Sequence, residues 1–229
     1  PASIIDIAKK GKFTAIIFQK GIAEKYNSEI KNSGVPLIIK LNGKTNLLKG
    51  EPMSEQLCTV DEAISLGASA VGYTIFIGSE YESKMLKEFE KIESESHKKR
   101  IPVIAWIYPR GKSIEGRSST ELMAYSARVG LEIGADIVKL QYNGNVADLK
   151  WAVKSAGKCK IVLSGGAKTS EKEVLQEAED AISAGASGLA IGRNVWQAKN
   201  PIDISKKIRK IIFGWKSIKL ISPDFFKIQ

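Results

Sequence analysis

The alternation of short apolar runs with longer amphipathic segments constrains the fold of this chain more than any other feature of its sequence. Strands that alternate with helices indicate βα units arranged around a parallel sheet. A chain of 229 residues suits one such domain over 1–229 better than two small ones. The seven apolar runs predicted as strands are Phe13–Gln19, Pro36–Asn42, Ala70–Phe76, Pro102–Pro109, Asp136–Tyr142, Lys160–Gly166 and Gly188–Arg193.

The intervening segments favour a (β/α)8 TIM barrel. Ser79–Lys99 and Ser119–Ile133 carry apolar residues at the three- and four-residue spacing of helices. Three helices end in the same Gly-Ala step, at Gly67, Gly134 and Gly185, as repeated βα units would. The helix-like segment Pro1–Lys10 should follow a strand, so we expect the first barrel strand upstream of Pro1. The alternative is an open, flavodoxin-like sheet.

Composition argues against several classes of function. The net charge is +10, but the lysines are mixed with glutamates and form no basic stripe with aromatic residues, so we expect no nucleic-acid partner. Lysine-rich composition is also typical of thermophile proteins, and anionic substrates are a second explanation. No apolar run reaches about 18 residues, so we expect no membrane contact and a cytoplasmic location.

Metal chemistry is not expected either. The two cysteines, Cys58 and Cys159, are far apart and are predicted to be reduced thiols. His97 is the single histidine, and its polar surroundings predict an exposed helix end. A zinc site needs several imidazole or thiolate ligands, so we expect neither a metal nor another cofactor.

Lys139 lies inside an apolar strand, which makes it the leading catalytic candidate. Residues two apart in a strand share a face, so Ile137, Lys139 and Gln141 would point to the barrel axis if the residues between them pack against helices. Burial disfavours the ammonium form, and a pKa near 7 to 8 leaves an amine able to attack a ketone. A structural lysine in an ion pair, or a surface lysine on a misjudged strand, remains the alternative.

The neighbouring strands supply candidates with matching parity. Trp106 and Tyr108 share a face of their strand, where Tyr108 could exchange protons and Trp106 could shield the substrate from water. Both aromatics could equally be core filling. Lys40 is a rival for the imine role or a phosphate ligand, ranked behind Lys139.

Two glycine-bearing strand ends predict a phosphate site. Ser164-Gly165-Gly166 and Gly192-Arg193 lie one βα unit apart, where backbone N–H groups of such barrels bind phosphate. The Arg193 guanidinium would add a bidentate cation. Two packing turns without a ligand are the alternative.

Four motifs, in this order and spacing, carry a family resemblance. They are Trp106-Ile107-Tyr108-Pro109-Arg110-Gly111, Gly134-Ala135-Asp136-Ile137-Val138-Lys139, Ser164-Gly165-Gly166-Ala167-Lys168-Thr169 and Gly192-Arg193-Asn194-Val195-Trp196-Gln197. Together they closely resemble the archaeal-type class I fructose-1,6-bisphosphate aldolases, from about Ile16 through the last barrel helix.

The resemblance implies a metal-independent aldolase that acts on phosphorylated ketoses and trioses in glycolysis and gluconeogenesis. It implies Lys139 as the Schiff-base lysine, Tyr108 in proton transfer and Trp106 beside it. It also implies that the phosphate of the dihydroxyacetone phosphate moiety is bound by Ser164, Gly165, Gly166, Gly192 and Arg193. The family's catalytic Asp-His-Gly segment does not occur in this sequence and is expected upstream of Pro1.

The chain departs from the family pattern at two places. Asn143-Gly144-Asn145 stands where relatives show Thr-Gly-Asp, and Ala167 replaces a proline. We expect the first change to alter hydrogen bonding in the loop and the second to loosen a turn. Neither removes a residue with an assigned catalytic role.

Two rivals and one assembly question follow from the same resemblance. Aminodideoxyheptulosonate synthases and aldolases of signalling sugars use a similar lysine, and a silent phosphosugar-binding barrel would keep only the glycine loops. The family forms large, ring-type homo-oligomers. The C-terminal extension Ile211–Gln229, with Phe213, Trp215, Phe225 and Phe226, could bury such a contact or pack on its own barrel.

Overall fold

The described part of the chain folds into nine strands and ten α-helices. The computed structural model describes residues 1–45, 47 and 49–214. The strands are β1 (Ile16–Gln19), β2 (Leu37–Lys40), β3 (Asn42–Gly43), β4 (Glu55–Gln56), β5 (Ala68–Ile77), β6 (Val103–Pro109), β7 (Ile137–Gln141), β8 (Lys160–Ser164) and β9 (Gly188–Ala190). The helices are α1 (Ala2–Lys10), α2 (Lys20–Lys25), α3 (Asn27–Ser33), α4 (Val60–Ser65), α5 (Glu82–Lys98), α6 (Ser119–Glu132), α7 (Val146–Ser155), α8 (Glu171–Ser183), α9 (Arg193–Trp196) and α10 (Pro201–Gly214).

Seven of the strands form one parallel sheet in chain order. The order is β1-β2-β5-β6-β7-β8-β9, with each strand hydrogen-bonded to the next. A flavodoxin-like sheet reverses its strand order at a switch point, and this sheet does not. The sequence therefore predicted the right class, a curled βα barrel. The two short strands β3 and β4 pair as an antiparallel hairpin outside this sheet, which the sequence reasoning missed.

The barrel is open between its first and last described strands. A cavity of about 500 Å³ extends from there into the barrel, and its walls come from α1, β1, β9 and α10 and from inward-facing residues of β2, β6, β7 and β8. Within the described residues, β1 pairs only with β2 and β9 pairs only with β8. The gap is where an eighth strand would close the barrel, and the placement of that strand upstream of Pro1 stays a prediction.

The sheet separates two apolar layers, as the predicted parity requires. Val138 and Leu140 belong to the larger cluster, which packs between the strands and the helices. Ile104, Trp106 and Ile137 belong to a second, inner cluster. Alternate residues of β7 therefore face opposite sides, and the inward direction predicted for Lys139 is confirmed by its place in the lining of the cavity.

Several strands are shorter than the sequence predicted. Strand β1 begins at Ile16 and not at Phe13, because Phe13 still donates its N–H to Ala8 at the end of α1 (3.0 Å). Strand β9 ends at Ala190, and Arg193 is already the first residue of α9. The glycines and the arginine assigned to phosphate binding therefore lie in loops and at a helix start, beyond the last residues of the strands.

His97 lies at a helix end, as predicted, but its side chain is less exposed than expected. This residue lies in the last turn of α5 and is half-buried. Its Nδ1 lies 2.8 Å from Glu93 Oε1, and its Nε2 lies 3.1 Å from Asp136 Oδ2. The same Asp136 oxygen accepts the N–H of Val103 at 2.8 Å. His97 thus ties α5 to the starts of β6 and β7, at the opposite end of the strands from the glycine loops.

Among the described helices, none has the length and hydrophobicity needed to cross a bilayer. In the C-terminal extension, Phe213 lies in α10 and lines the cavity. Trp215, Phe225 and Phe226 lie outside the described residues, so the contact proposed for them stays a prediction.

Candidate active site

Two lysines approach the ring of one buried tryptophan. Trp106 lies on the inner face of β6 and is 7% exposed. The amine of Lys139 on β7 lies 4.6 Å from the centroid of the Trp106 ring. The amine of Lys40 on β2 lies 5.1 Å from the same ring. The structure therefore brings together three residues that the sequence placed on separate strands.

Gly72 makes this arrangement possible, and the sequence reasoning missed it. A Cβ atom at Gly72 on β5 would lie 3.1 Å from the Trp106 indole. Without that atom, the indole lies against β5 and bridges from Lys139 toward Lys40, which pairs with Gly72 in the sheet register. A glycine inside an apolar strand often marks such a close approach, and that is the signal that could have found it.

Burial lowers the pKa of both amines. Desolvation is the main cause for Lys139, with the charge of Lys40 second, and together they lower its pKa to about 8. Desolvation, followed by the charge of Lys44, lowers the pKa of Lys40 to about 8. A salt-bridged lysine would instead keep its proton more tightly. Among the described residues, no acidic partner contributes to the pKa of Lys139, so these residues do not support the alternative of a structural ion pair.

The two lysines have similar pKa values, but they differ in their position relative to the cavity. Lys139 lines the 500 Å³ cavity together with Trp106, and the lining continues to Gly192. Lys40 does not belong to this lining. A carbonyl compound in the cavity would meet the Lys139 amine directly.

Tyr108 connects the lysine strands with the first glycine loop. Its hydroxyl is close enough to Ser164, at the end of β8, for that side chain to lower the phenol pKa. Burial raises the pKa of Tyr108, while Ser164 and the charge of Arg110 lower it in part. The Arg110 guanidinium carbon lies 5.6 Å from the centre of the Tyr108 ring. The phenol is therefore protonated near neutral pH and able to donate a proton.

The glycines after β8 are required by their backbone surroundings. A Cβ atom at Gly165 would lie 2.4 Å from Ile191 Cγ2, so only glycine lets the β8 and β9 ends come this close. Gly166 has a φ of +51°, in the left-handed region that favours glycine. Both residues support the predicted loop, although a close-packed turn alone would also need them.

The Arg193 side chain holds this loop from the other strand end. Its guanidinium donates from Nη2 to the Gly166 carbonyl at 2.6 Å. The Trp196 ring covers Gly192, where an added Cβ would lie 2.4 Å from it. Ser164, Gly165, Gly166, Gly192 and Arg193 thus lie together as predicted, while their contact with a phosphate stays a prediction.

Comparison with known proteins identifies the family to which a chain with this lysine and these loops belongs. The model of the DeoC/LacD family aldolases matches residues 1–198 of the chain. The chain belongs to this aldolase family. Among its relatives, the fructose-bisphosphate aldolase class 1 of Thermoproteus tenax is 45% identical over 224 residues, which are 97% of this chain and 83% of that protein.

Solved structures agree with this family placement. An archaeal fructose-1,6-bisphosphate aldolase, whose catalytic lysine is covalently bound to the carbinolamine intermediate of its substrate, is 44% identical. It superposes with a TM-score of 0.86, over 92% of this chain and 83% of that one. The chain is also similar to a 2-amino-3,7-dideoxy-D-threo-hept-6-ulosonate synthase of Archaeoglobus fulgidus, 36% identical over 87% of this chain and 74% of the synthase.

In this aldolase-family chain, the two departures from the family pattern lie in loops. Asn145 caps α7 by accepting the N–H groups of Ala147 and Asp148, at 2.9 and 3.3 Å. Asn143 donates to the Asp148 carboxylate at 2.7 Å. The two asparagines therefore organise the start of α7. The Ala167 carbonyl accepts a hydrogen bond from Asn194, a residue to which sequence reasoning gave no role.

Proposed function

We propose that the chain is a class I fructose-bisphosphate aldolase. It would cleave fructose 1,6-bisphosphate reversibly to dihydroxyacetone phosphate and glyceraldehyde 3-phosphate, through an imine on Lys139. The carrying observation is the Lys139 amine, desolvated over Trp106, with its pKa lowered to about 8 and lining the cavity that extends to Gly192. At pH 7 about a tenth of such an amine is neutral, against about one part in 3,000 at the usual pKa.

The first half of the reaction makes and uses the imine. The neutral Lys139 Nζ adds to the C2 carbonyl of the ketose, and water leaves to give an iminium ion. A base takes the proton of the C4 hydroxyl, the C3–C4 bond breaks, and its electron pair moves into the iminium to form an enamine. Glyceraldehyde 3-phosphate departs. Trp106 contributes an aromatic face next to the cationic nitrogen, which stabilises the iminium.

The second half releases the triose phosphate. Tyr108 donates its proton to C3 of the enamine, which regenerates the iminium, and water then hydrolyses this bond to free dihydroxyacetone phosphate and Lys139. The raised pKa of Tyr108 suits a proton donor. Its interaction with Ser164 supports a position of the phenol beside the loop that would hold the phosphate. The carboxylate that assists this chemistry in the family belongs to the expected upstream strand.

Recognition of the substrate would rest on its phosphate and on charge. The loop after β8 supplies the backbone N–H groups of residues 166–168, and Arg193 and Lys40 supply positive charge near the cavity. The partners are therefore phosphorylated ketoses and trioses. A homo-oligomer and a cytoplasmic location belong to the same proposal, through the family resemblance alone.

Borohydride trapping tests the proposal directly. The full-length protein is incubated with dihydroxyacetone phosphate and reduced, and the modified lysine is located by peptide mass. We expect one stable adduct at Lys139, none in Lys139→Met, and an adduct still located at Lys139 in Lys40→Met. An adduct at Lys40, or no adduct in the wild type, would contradict the mechanism and leave the silent phosphosugar-binding alternative.

A substrate panel then separates the members of the family. We expect faster cleavage of fructose 1,6-bisphosphate than of other ketose phosphates, measured by release of glyceraldehyde 3-phosphate. Preferential turnover of an aminodideoxyheptulosonate precursor would assign the chain to the synthase branch. In both cases the imine would still form on Lys139.

A further inference from the structure

Asn194 is a buried polar residue that no catalytic step uses. It is the second residue of α9 and is 4% exposed. Its amide reaches across to the loop after β8 and not to its own helix. The Nδ2 group donates to the Gly165 carbonyl at 2.7 Å and to the Ala167 carbonyl at 3.1 Å. Its Oδ1 accepts the N–H of Thr169 at 2.8 Å.

Together with Arg193, this residue captures three successive carbonyls of the loop. Arg193 donates to the Gly166 carbonyl, which lies between the two carbonyls that Asn194 holds. The C=O and N–H groups of a trans peptide unit point in opposite directions. Because the carbonyls of residues 165–167 face α9, the N–H groups of residues 166–168 face away from it.

Those three N–H groups are free to bind a ligand. Within the described part of the chain, none of them has a hydrogen-bond acceptor, and residues 166–168 are exposed. Gly166 has the left-handed φ of +51°, and successive N–H groups around such a residue form the concave arrangement that binds anions. The neighbouring Gly165 N–H is already used by the Ala190 carbonyl at 3.4 Å.

We propose that Asn194 is a positioning residue that holds the 165–168 loop with its backbone N–H groups presented to the phosphate of the substrate. The inference rests on the proposed function, since it assigns the phosphate to this loop. Ala167 sharpens the requirement: a proline there would fix its own φ, whereas alanine leaves the loop dependent on the two hydrogen bonds from Asn194. Asn194 therefore acts through the loop and need not touch the substrate.

The test compares two ketones that differ only in the phosphate. Imine formation at Lys139 is measured by borohydride trapping as a function of dihydroxyacetone phosphate or dihydroxyacetone concentration. In Asn194→Ala we expect the half-saturating concentration of dihydroxyacetone phosphate to rise by about tenfold or more, which is the size of effect that lost buried hydrogen bonds produce. The value for dihydroxyacetone should stay within about twofold, because it has no phosphate to lose.

Ser170→Ala is the matched control. Ser170 caps α8 directly after the same loop and accepts the N–H of Glu173 at 3.3 Å, but it touches none of the three carbonyls. We expect both ketones to bind this variant as they bind the wild type. If Asn194→Ala does not fold, Asn194→Ser, which keeps one hydroxyl donor, should show a smaller change in the same direction.

Two outcomes would overturn the role of Asn194. One is an equal change for both ketones in Asn194→Ala, which indicates a merely structural residue, and the other is no change for either. If the wild type forms no imine at all, the proposed function fails instead. Calorimetric titration with inorganic phosphate then tests the role of Asn194 independently of imine formation. Weaker phosphate binding in Asn194→Ala than in the wild type supports the positioning role, and unchanged binding refutes it.

Discussion

Two regions of the site use opposite physical means. In the amine region, defined by Lys40, Trp106 and Lys139, side chains face one another across an apolar interior, and no described carboxylate is among the causes that set the pKa of either lysine. In the loop region, defined by residues 164–168 and 192–194, most contacts are hydrogen bonds from side chains to backbone. In the amine region, the two lysine amines face an apolar interior without a counter-charge from the described residues. In the loop region, the backbone carbonyls have hydrogen-bond donors.

The difference follows from what each region has to do. A reactive amine must lose its proton easily, and desolvation without a counter-charge achieves this at a cost in stability. An anchor for phosphate must keep its donors in place before the ligand arrives, and a hydrogen-bonded loop achieves that. Substitutions in the amine region should therefore change chemistry or pH dependence, and those in the loop region should change affinity.

Tyr108 lies where the two regions meet, so its substitution should have the largest effect. Tyr108→Phe removes the proton donor, the hydroxyl whose pKa Ser164 influences. We expect kcat for cleavage to fall by about 10² to 10⁴, while borohydride still traps an adduct on Lys139. Tyr125→Phe, at a residue 60% exposed on α6, is the control. A Tyr108→Phe enzyme with normal kcat would remove this residue from the mechanism.

Gly165→Ala should affect affinity more than chemistry. The new Cβ would lie 2.4 Å from Ile191, which forces the ends of β8 and β9 apart. We expect KM for fructose 1,6-bisphosphate to rise by about tenfold. Gly166→Ala is the companion variant: it meets no neighbouring atom but strains the left-handed backbone by about 1 to 2 kcal/mol, so its increase should be smaller. The reverse order would contradict the close-approach explanation.

Lys40→Met should have the smallest effect and should appear in the pH profile. The Lys40 charge helps to lower the pKa of Lys139, so its loss should raise that pKa and move the acid limb of imine formation to higher pH. At pH 7 the rate with dihydroxyacetone should fall by about two- to fivefold. Lys40→Arg keeps the charge and should keep the profile. A shift to lower pH in Lys40→Met would refute this coupling.

Much of this site was predictable because strand periodicity determines direction. The two-residue repeat gave Lys139 and Trp106 their common inward face, and the inner cluster confirms it for Trp106 and Ile137. The βα alternation likewise gave the seven parallel strands. The glycine pair after β8 and the single Gly192 after β9 indicated the loops, since glycine near a strand end often marks a close approach of the backbone.

What could not be predicted depends on contacts between distant segments. Gly72 matters only because Trp106 lies on it from the next strand, and Asn194 matters only because its amide reaches the loop after β8. The strand limits at Phe13 and Arg193 were misjudged because helix ends extended into apolar sequence. His97 became half-buried through Glu93 and Asp136, which are four and 39 residues away along the chain.

The two desolvated lysines make folding a proton-releasing process. Each has a pKa of about 8 in the folded chain, against a usual value of 10.5. Between these limits the two lysines bind more protons in the unfolded chain than in the folded one, so their contribution to stability becomes more favourable as the pH increases from about 8 to 10.5. Below about pH 8 their full destabilisation is present. These two amines therefore destabilise the fold least on the alkaline side, where they are also neutral.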